Sequence, residues 1–107
     1  MVLVLDSSGS LLMDGTEQNL FSSQTILAHY STKIFFHNLV ANDKITVKVY
    51  DNDEDSSTER LYRTIYVVGV QDDPVMIINW IPSNSYRVTC EQTDGTNKTI
   101  TWSLWTA

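Results

Sequence analysis

Asp51-Asn52-Asp53-Glu54-Asp55 places oxygen side chains at alternate positions, the pattern with which a loop wraps a calcium ion. Asp51, Asp53 and Asp55 would be the ligands. A second oxygen set lies near the start, where Asp6, Ser7, Ser8 and Ser10 follow the apolar run Val2-Leu3-Val4-Leu5 in an Asp-x-Ser-x-Ser order. It offers a carboxylate and hydroxyls to a divalent cation. His29 and His37 are the two histidines, general bases or metal ligands by type, and Cys90 is the one cysteine.

Each of these sets lacks what its chemistry needs next. An EF-hand loop requires Gly at its sixth position and Glu at its twelfth, where this chain has Ser56 and Tyr62. Asp51, Asp53 and Asp55 are therefore weak metal candidates, and the competing reading is a solvated turn whose charges discourage edge-to-edge pairing. The Asp6 pattern is similar to the opening of the adhesion site of von Willebrand A-type domains. Those are α/β folds whose further Thr and Asp ligands come from loops between helices, whereas Gln18 to Ala107 reads as strands almost throughout. The plain alternative is a polar linker, because Ser-Ser-Gly-Ser is a flexible composition. Neither histidine has a second His or a cysteine pair at metal spacing, and no glycine-rich phosphate loop is present. No catalytic residue and no cofactor is assigned, and the chain is expected not to be an enzyme.

Composition narrows the classes further. A chain of 107 residues is one domain by size and can bury an ordinary core without disulfides. A single cysteine excludes an internal disulfide and a cysteine-based zinc cage, and Cys90 sits in an apolar strand phase that predicts a buried thiol. A net charge of −6 opposes binding along a nucleic-acid backbone. No apolar run approaches a membrane span, and the four apolar residues after Met1 lack a positive flank and are too short for a signal peptide. The expected partners therefore include neither nucleic acid nor a membrane.

What would position any site is a set of strands. Ile45, Val47 and Val49 alternate with Thr46, Lys48 and Tyr50, which predicts a half-buried antiparallel strand over Lys44 to Tyr50. Arg60 to Val70 is long, aromatic and β-branched, with Leu61, Ile65 and Val67 on one face, and should pair with it as a hairpin. Val75 to Trp80 is a short apolar strand between Pro-containing breaks, buried on both sides or facing a neighbouring subunit. Tyr86, Val88 and Cys90, and then Ile100, Trp102 and Leu104, alternate with polar residues on either side of Asp94-Gly95-Thr96-Asn97. That arrangement predicts a C-terminal hairpin. Lys33 to His37 favours another strand, and Ile26, Leu27 and Tyr30 allow one short helix within Ser22 to Ser31. The expected fold is all-β, an antiparallel β-sandwich or jelly roll of seven to eight short strands with at most one short helix. Residues 1–9 are expected to be an N-terminal arm or linker and residues 10–107 a single sandwich domain. Trp80 and Trp102 fall in core phases. Trp105 lies on the face opposite Trp102, which makes it an interface candidate.

Asp14-Gly15-Thr16-Glu17-Gln18-Asn19-Leu20, Asn38-Leu39 through Val49, and Tyr86 through Gln92-Thr93-Asp94-Gly95-Thr96 to Trp102 resemble a group of small β-rich proteins. These are encoded by tailed bacterial viruses, archaeal viruses and environmental viral genomes. The likeness spans about Ser10 to Leu104 through short turn and strand patterns. It implies a non-enzymatic virion structural protein, a capsid-associated or decoration subunit made in the host cytoplasm. Its partners would be further copies of itself and a major shell protein. Val2, Leu3, Val4 and Leu5, an extension relative to the group, and Trp105 are the expected intersubunit contacts. The alternative is a small β-sandwich module that binds glycans or a host surface, with calcium at Asp51, Asp53 and Asp55.

Overall fold

The period-two alternation resolves into eight strands in the computed structural model, which describes residues 3–25, 28–52 and 58–107. They are β1 (Val4–Leu12), β2 (Gln18–Asn19), β3 (Tyr30–Phe35), β4 (Lys44–Asn52), β5 (Glu59–Val68), β6 (Val75–Trp80), β7 (Arg87–Asp94) and β8 (Thr99–Thr106). Two four-stranded antiparallel sheets result, in the orders β1-β8-β3-β6 and β2-β7-β4-β5. Apart from the β4–β5 hairpin, each strand crosses to the other sheet before the next begins, which is the connectivity of an eight-stranded jelly roll. There is no helix among the described residues. Where a short helix was allowed, Gln24 makes an isolated bridge to Tyr86, while Ile26 and Leu27 lie outside the described residues.

The inward faces close on one core. Ile45, Val47 and Val49 of β4 and Val88 and Cys90 of β7 meet Ile34 of β3, Ile78 of β6 and Ile100 and Leu104 of β8, all fully buried. Tyr30 and Tyr86 stack across the gap with ring centroids 5.2 Å apart, and the Tyr86 hydroxyl is hydrogen-bonded to Thr32 Oγ1 at 2.8 Å. Both phenols are buried, and the Tyr86 hydroxyl keeps a hydrogen-bond partner in Thr32. Burial pushes the Cys90 thiol up to about 12, which makes it an inert core residue.

Three expectations are corrected by the pairing. The C-terminal strands do not form a hairpin, because β7 pairs with β4 and β2 whereas β8 pairs with β1 and β3. Asp94 to Lys98 is instead an arch from one sheet to the other, built around the buried amide of Gln92. Gln92 Nε2 donates to the Asp94 and Thr96 carbonyls at 3.1 and 2.7 Å and to Asp43 Oδ1 at 3.2 Å, and Gln92 Oε1 accepts from Lys98 N at 2.9 Å. A side chain that satisfies three backbone groups of the arch and the Asp43 carboxylate replaces the ladder a hairpin would have made. Gly95 within it has φ +86°, and a Cβ there would fall within 3 Å of both the Asp43 side chain and its backbone. Gly95→Ala is therefore expected to cost roughly 1–3 kcal/mol of backbone strain, plus the clash. An unchanged melting temperature would contradict this placement.

The second correction concerns the expected arm or linker over residues 1–9. From Val4 onward it is β1, hydrogen-bonded along β8 from Val4↔Thr106 to Leu12↔Thr99 without a break at Ser10, so the Ser-rich stretch is ordered by its partner strand. Third, a bulge between Val49 and Tyr50 sets Tyr50 opposite Leu61 and Val49 opposite Arg63. One extra residue reverses the parity of the strand, so Leu61 does not share the inward face of Ile65 and Val67 and is 46% exposed. β6 is an edge strand, so of the two readings of Val75 to Trp80 only the one with both sides covered falls away. Ile78 is buried, but Val75 and Ile77 are exposed rather than covered on both sides.

Candidate functional site

The metal candidates part company in the structure. Asp51 is buried, and its carboxylate accepts backbone N–H groups from the β6–β7 turn: Ser83 at 2.9 Å, Asn84 at 3.3 Å and Ser85 at 3.3 Å. Asn52 N at 2.7 Å and Trp80 Nε1 at 3.2 Å complete the set. Burial by itself would raise this carboxyl, but the donors outweigh it and hold the group below its ordinary value. With both oxygens occupied by donors, Asp51 ties the two sheets together at one end and is not free to ligate calcium. Asp53 and Asp55 lie outside the described residues. No group of three His, Cys, Asp or Glu residues that could hold a metal occurs among the described residues, and Asp6, Ser8 and Ser10 sit on a sheet edge with no helix beside them.

Asp43 plays the matching part at the Gln92 arch. It is fully buried, accepts from Val40 N at 2.9 Å and faces Lys98 Nζ at 3.5 Å. The Val40 hydrogen bond lowers its carboxyl below the usual range against the opposing effect of burial, with Lys98 adding to the lowering. Asp43 and Asp51 are both depressed in the folded chain. The stability they contribute is present above the ordinary carboxylate value of 3.8 and is lost as pH falls through their lower folded values. Melting temperature should accordingly be flat from neutral pH to about 5 and drop steeply below about 4. A flat profile down to pH 2 would contradict these assignments.

The outward faces of the two sheets differ in charge. On the outside of the β2-β7-β4-β5 sheet, Glu17 Oε2 accepts from the Tyr50 hydroxyl and Thr89 Oγ1, each at 2.6 Å. The Arg87 guanidinium lies 4.0 Å from the Tyr50 ring centroid and forms a two-point pair with Glu59 at 2.7 and 3.2 Å. Lys44 reaches over Tyr66 nearby. This is a solvated face, laced with charge.

The outside of the other sheet is nearly uncharged. Alternation with the buried Ile34, Ile78, Ile100 and Leu104 turns Lys33 and Phe35, Val75 and Ile77, and Thr101, Ser103 and Trp105 outward. β1 adds Leu5 opposite Trp105, Ser8 opposite Ser103 and Leu12 opposite Thr99. Lys33 is the single charge in these rows. Its ammonium lies 5.8 Å from the Trp105 ring centroid, and Trp105 Nε1 donates to Ser103 Oγ at 3.0 Å.

Of the expected interface residues, Leu5 and Trp105 come together on this face, and Leu3 and Val4 are exposed, Val4 opposite Thr106. Val2 lies outside the described residues. Phe35 was not singled out in the sequence as a contact residue, whereas Val75 and Ile77 belong to the strand read as buried on both sides or facing a neighbouring subunit. Their signal was the nearly continuous apolar run of Val75 to Trp80, which on an edge strand leaves one apolar face bare. The two Asp-Gly-Thr segments serve turns: Asp14 Oδ1 accepts from Thr16 N and Oγ1 at 2.9 and 2.6 Å, and Asp94 Oδ1 accepts from Gly95 N at 2.8 Å. Comparison with family models, with curated proteins and with solved structures returned no match to this chain.

Proposed function

We propose that this chain is a non-enzymatic virion structural protein, a capsid-associated or decoration subunit that acts through repeated contacts with copies of itself and with a major shell protein. The observation that carries the reading is the nearly uncharged outer face of the β1-β8-β3-β6 sheet on a chain of net charge −6. A solvated sheet face carries alternating charge, as the opposite sheet does. A face of hydroxyls, aliphatics and Trp105 is where copies approach without like-charge repulsion. Jelly rolls build viral shells as well as lectins, so the fold is compatible with the reading but does not choose it. The choice of shell over other assemblies rests on the resemblance carried by Asp14 to Leu20 and Gln92 to Thr96.

The size of the face sets the mode of use. Four strands at about 4.8 Å spacing and eight residues at about 3.4 Å give roughly 500 Å² in projection. A standard interface buries about 800 Å² per partner, so a single contact through this face is weak, and repetition around a symmetry axis makes it lasting. Quantitative mass spectrometry of density-gradient-purified particles tests the assignment. A fixed ratio of this chain to the major shell protein that survives salt washing is the expected result. Loss of the chain from washed particles would overturn it.

A further inference from the structure

The jelly roll is open along the side where β1 and β2 are the edge strands, and a shallow cleft of about 640 Å³ lies there. Two irregularities shape it. The register of β1 against β8 slips between Leu5 and Ser7, a bulge at Asp6, and both Asp6 and Ser7 line the cleft. A bulge breaks strict alternation, so two consecutive side chains reach the same space and one of them is a carboxylate. Opposite, Gly9 faces Trp102, and a Cβ at Gly9 would come within 3.1 Å of the indole. The absent side chain lets the half-buried indole lie against the β1 backbone, with the Phe21 ring 5.6 Å away between centroids.

The wall is therefore aromatic and the rim polar. Asn19 and Gln24 supply amides in complementary states. Asn19 Oδ1 is taken by Arg87 Nη1 at 3.0 Å, which leaves its NH₂ to donate, and Gln24 Nε2 is taken by the Ser22 carbonyl at 2.7 Å, which leaves its oxygen to accept. Asp6 adds acceptors, and the Ser7 hydroxyl acts in either sense. Adjacent hydroxyls on a sugar ring each donate and accept, and the ring's C–H face is apolar enough to rest on an aromatic side chain. The carboxylate, with no cation among the lining residues, opposes sialic acids, sulfated sugars and phosphates. The volume falls within the roughly 300–1,000 Å³ of small-molecule sites.

We infer that this cleft binds a neutral saccharide, with Trp102 and Phe21 as the apolar wall and Asp6, Ser7, Asn19 and Gln24 as hydrogen-bonding partners. The inference requires no calcium and is independent of the virion assignment.

The test is a printed array of neutral and acidic glycans probed with the intact chain, followed by NMR and calorimetric titration of the strongest neutral binder. Saturable binding that moves the Trp102 indole N–H resonance is expected. Asp6→Ala and Gln24→Ala should each weaken it about tenfold with unchanged melting temperature, because neither side chain supports the core and the Gln24–Tyr86 bridge is made by backbone atoms. The proposal is overturned if no neutral glycan on the array binds, if only acidic glycans bind, or if the two variants bind as tightly as the parent chain.

Discussion

Replacing Asp51 by alanine lowers the stability of this chain by about 2–4 kcal/mol, a larger loss than any ordinary surface substitution. The carboxylate collects the N–H groups of Asn52, Ser83, Asn84 and Ser85 and the Trp80 indole N–H, all at a buried position. Truncation leaves those donors to whatever water can enter and removes the link between β4 and the β6–β7 turn. For a domain of this size the change corresponds to a fall of about 10–20 °C in melting temperature. Asp51→Asn falls between the two, because one acceptor oxygen remains while the other is replaced by a donor facing donors. Differential scanning calorimetry with and without calcium separates this role from metal binding. The parent chain should melt at the same temperature in calcium and in a chelator. A calcium-dependent rise lost in Asp51→Ala would show that the carboxylate serves a cation instead.

Ile77→Lys should disperse the self-contact through the outer face of the β1-β8-β3-β6 sheet while leaving the fold intact. Ile77 is 53% exposed on the edge strand β6, so lysine is tolerated in the isolated chain, whereas within a contact its ammonium must be desolvated beside the existing Lys33. The expected effect is a rise of about ten- to a hundredfold in the dissociation constant, equivalent to roughly 1.4–2.8 kcal/mol. Sedimentation equilibrium over a broad concentration range reads it directly. Tyr66→Lys on the charged face is the control and should leave association unchanged. A parent chain that stays monomeric at the highest concentrations, or association weakened more by the control than by Ile77→Lys, would remove this face from the proposed function.

Much of the sandwich was legible because burial imposes its period on the residues. Ile45, Val47 and Val49, Val88 and Cys90, and Ile100 and Leu104 each announce an inward face by alternation, and all are buried. The bounds of β6 follow from the Pro-containing breaks on either side, and the β4–β5 hairpin follows from adjacency. Cys90 as a core thiol needed only its strand phase. A single cysteine excluded an internal disulfide by count alone.

Alternation says which side of a strand is wet and nothing about which strand lies beside it. Asp94-Gly95 serves a hairpin or an arch equally well, and the side chain of Gln92, two residues before that turn, decides for the arch by satisfying the groups a ladder would have satisfied. Bulges are invisible for the same reason: one added residue near Tyr62 turns Leu61 outward, and one at Asp6 brings a carboxylate into the cleft beside Ser7. Asp51 was a weak calcium candidate because its neighbours in sequence are acidic, yet three of its donors are backbone N–H groups more than thirty residues away. The bare face containing Phe35, Ile77 and Trp105 draws on strands scattered across the chain. The sequence by itself determined strands β4, β6, β7 and β8 and the inward sides of β4, β7 and β8, since those depend on neighbours one and two residues apart. Only the tertiary structure decided strand order, the bulges and the partners of the buried carboxylates, because pairing across sheets brings together residues whose separation along the chain carries no periodic trace.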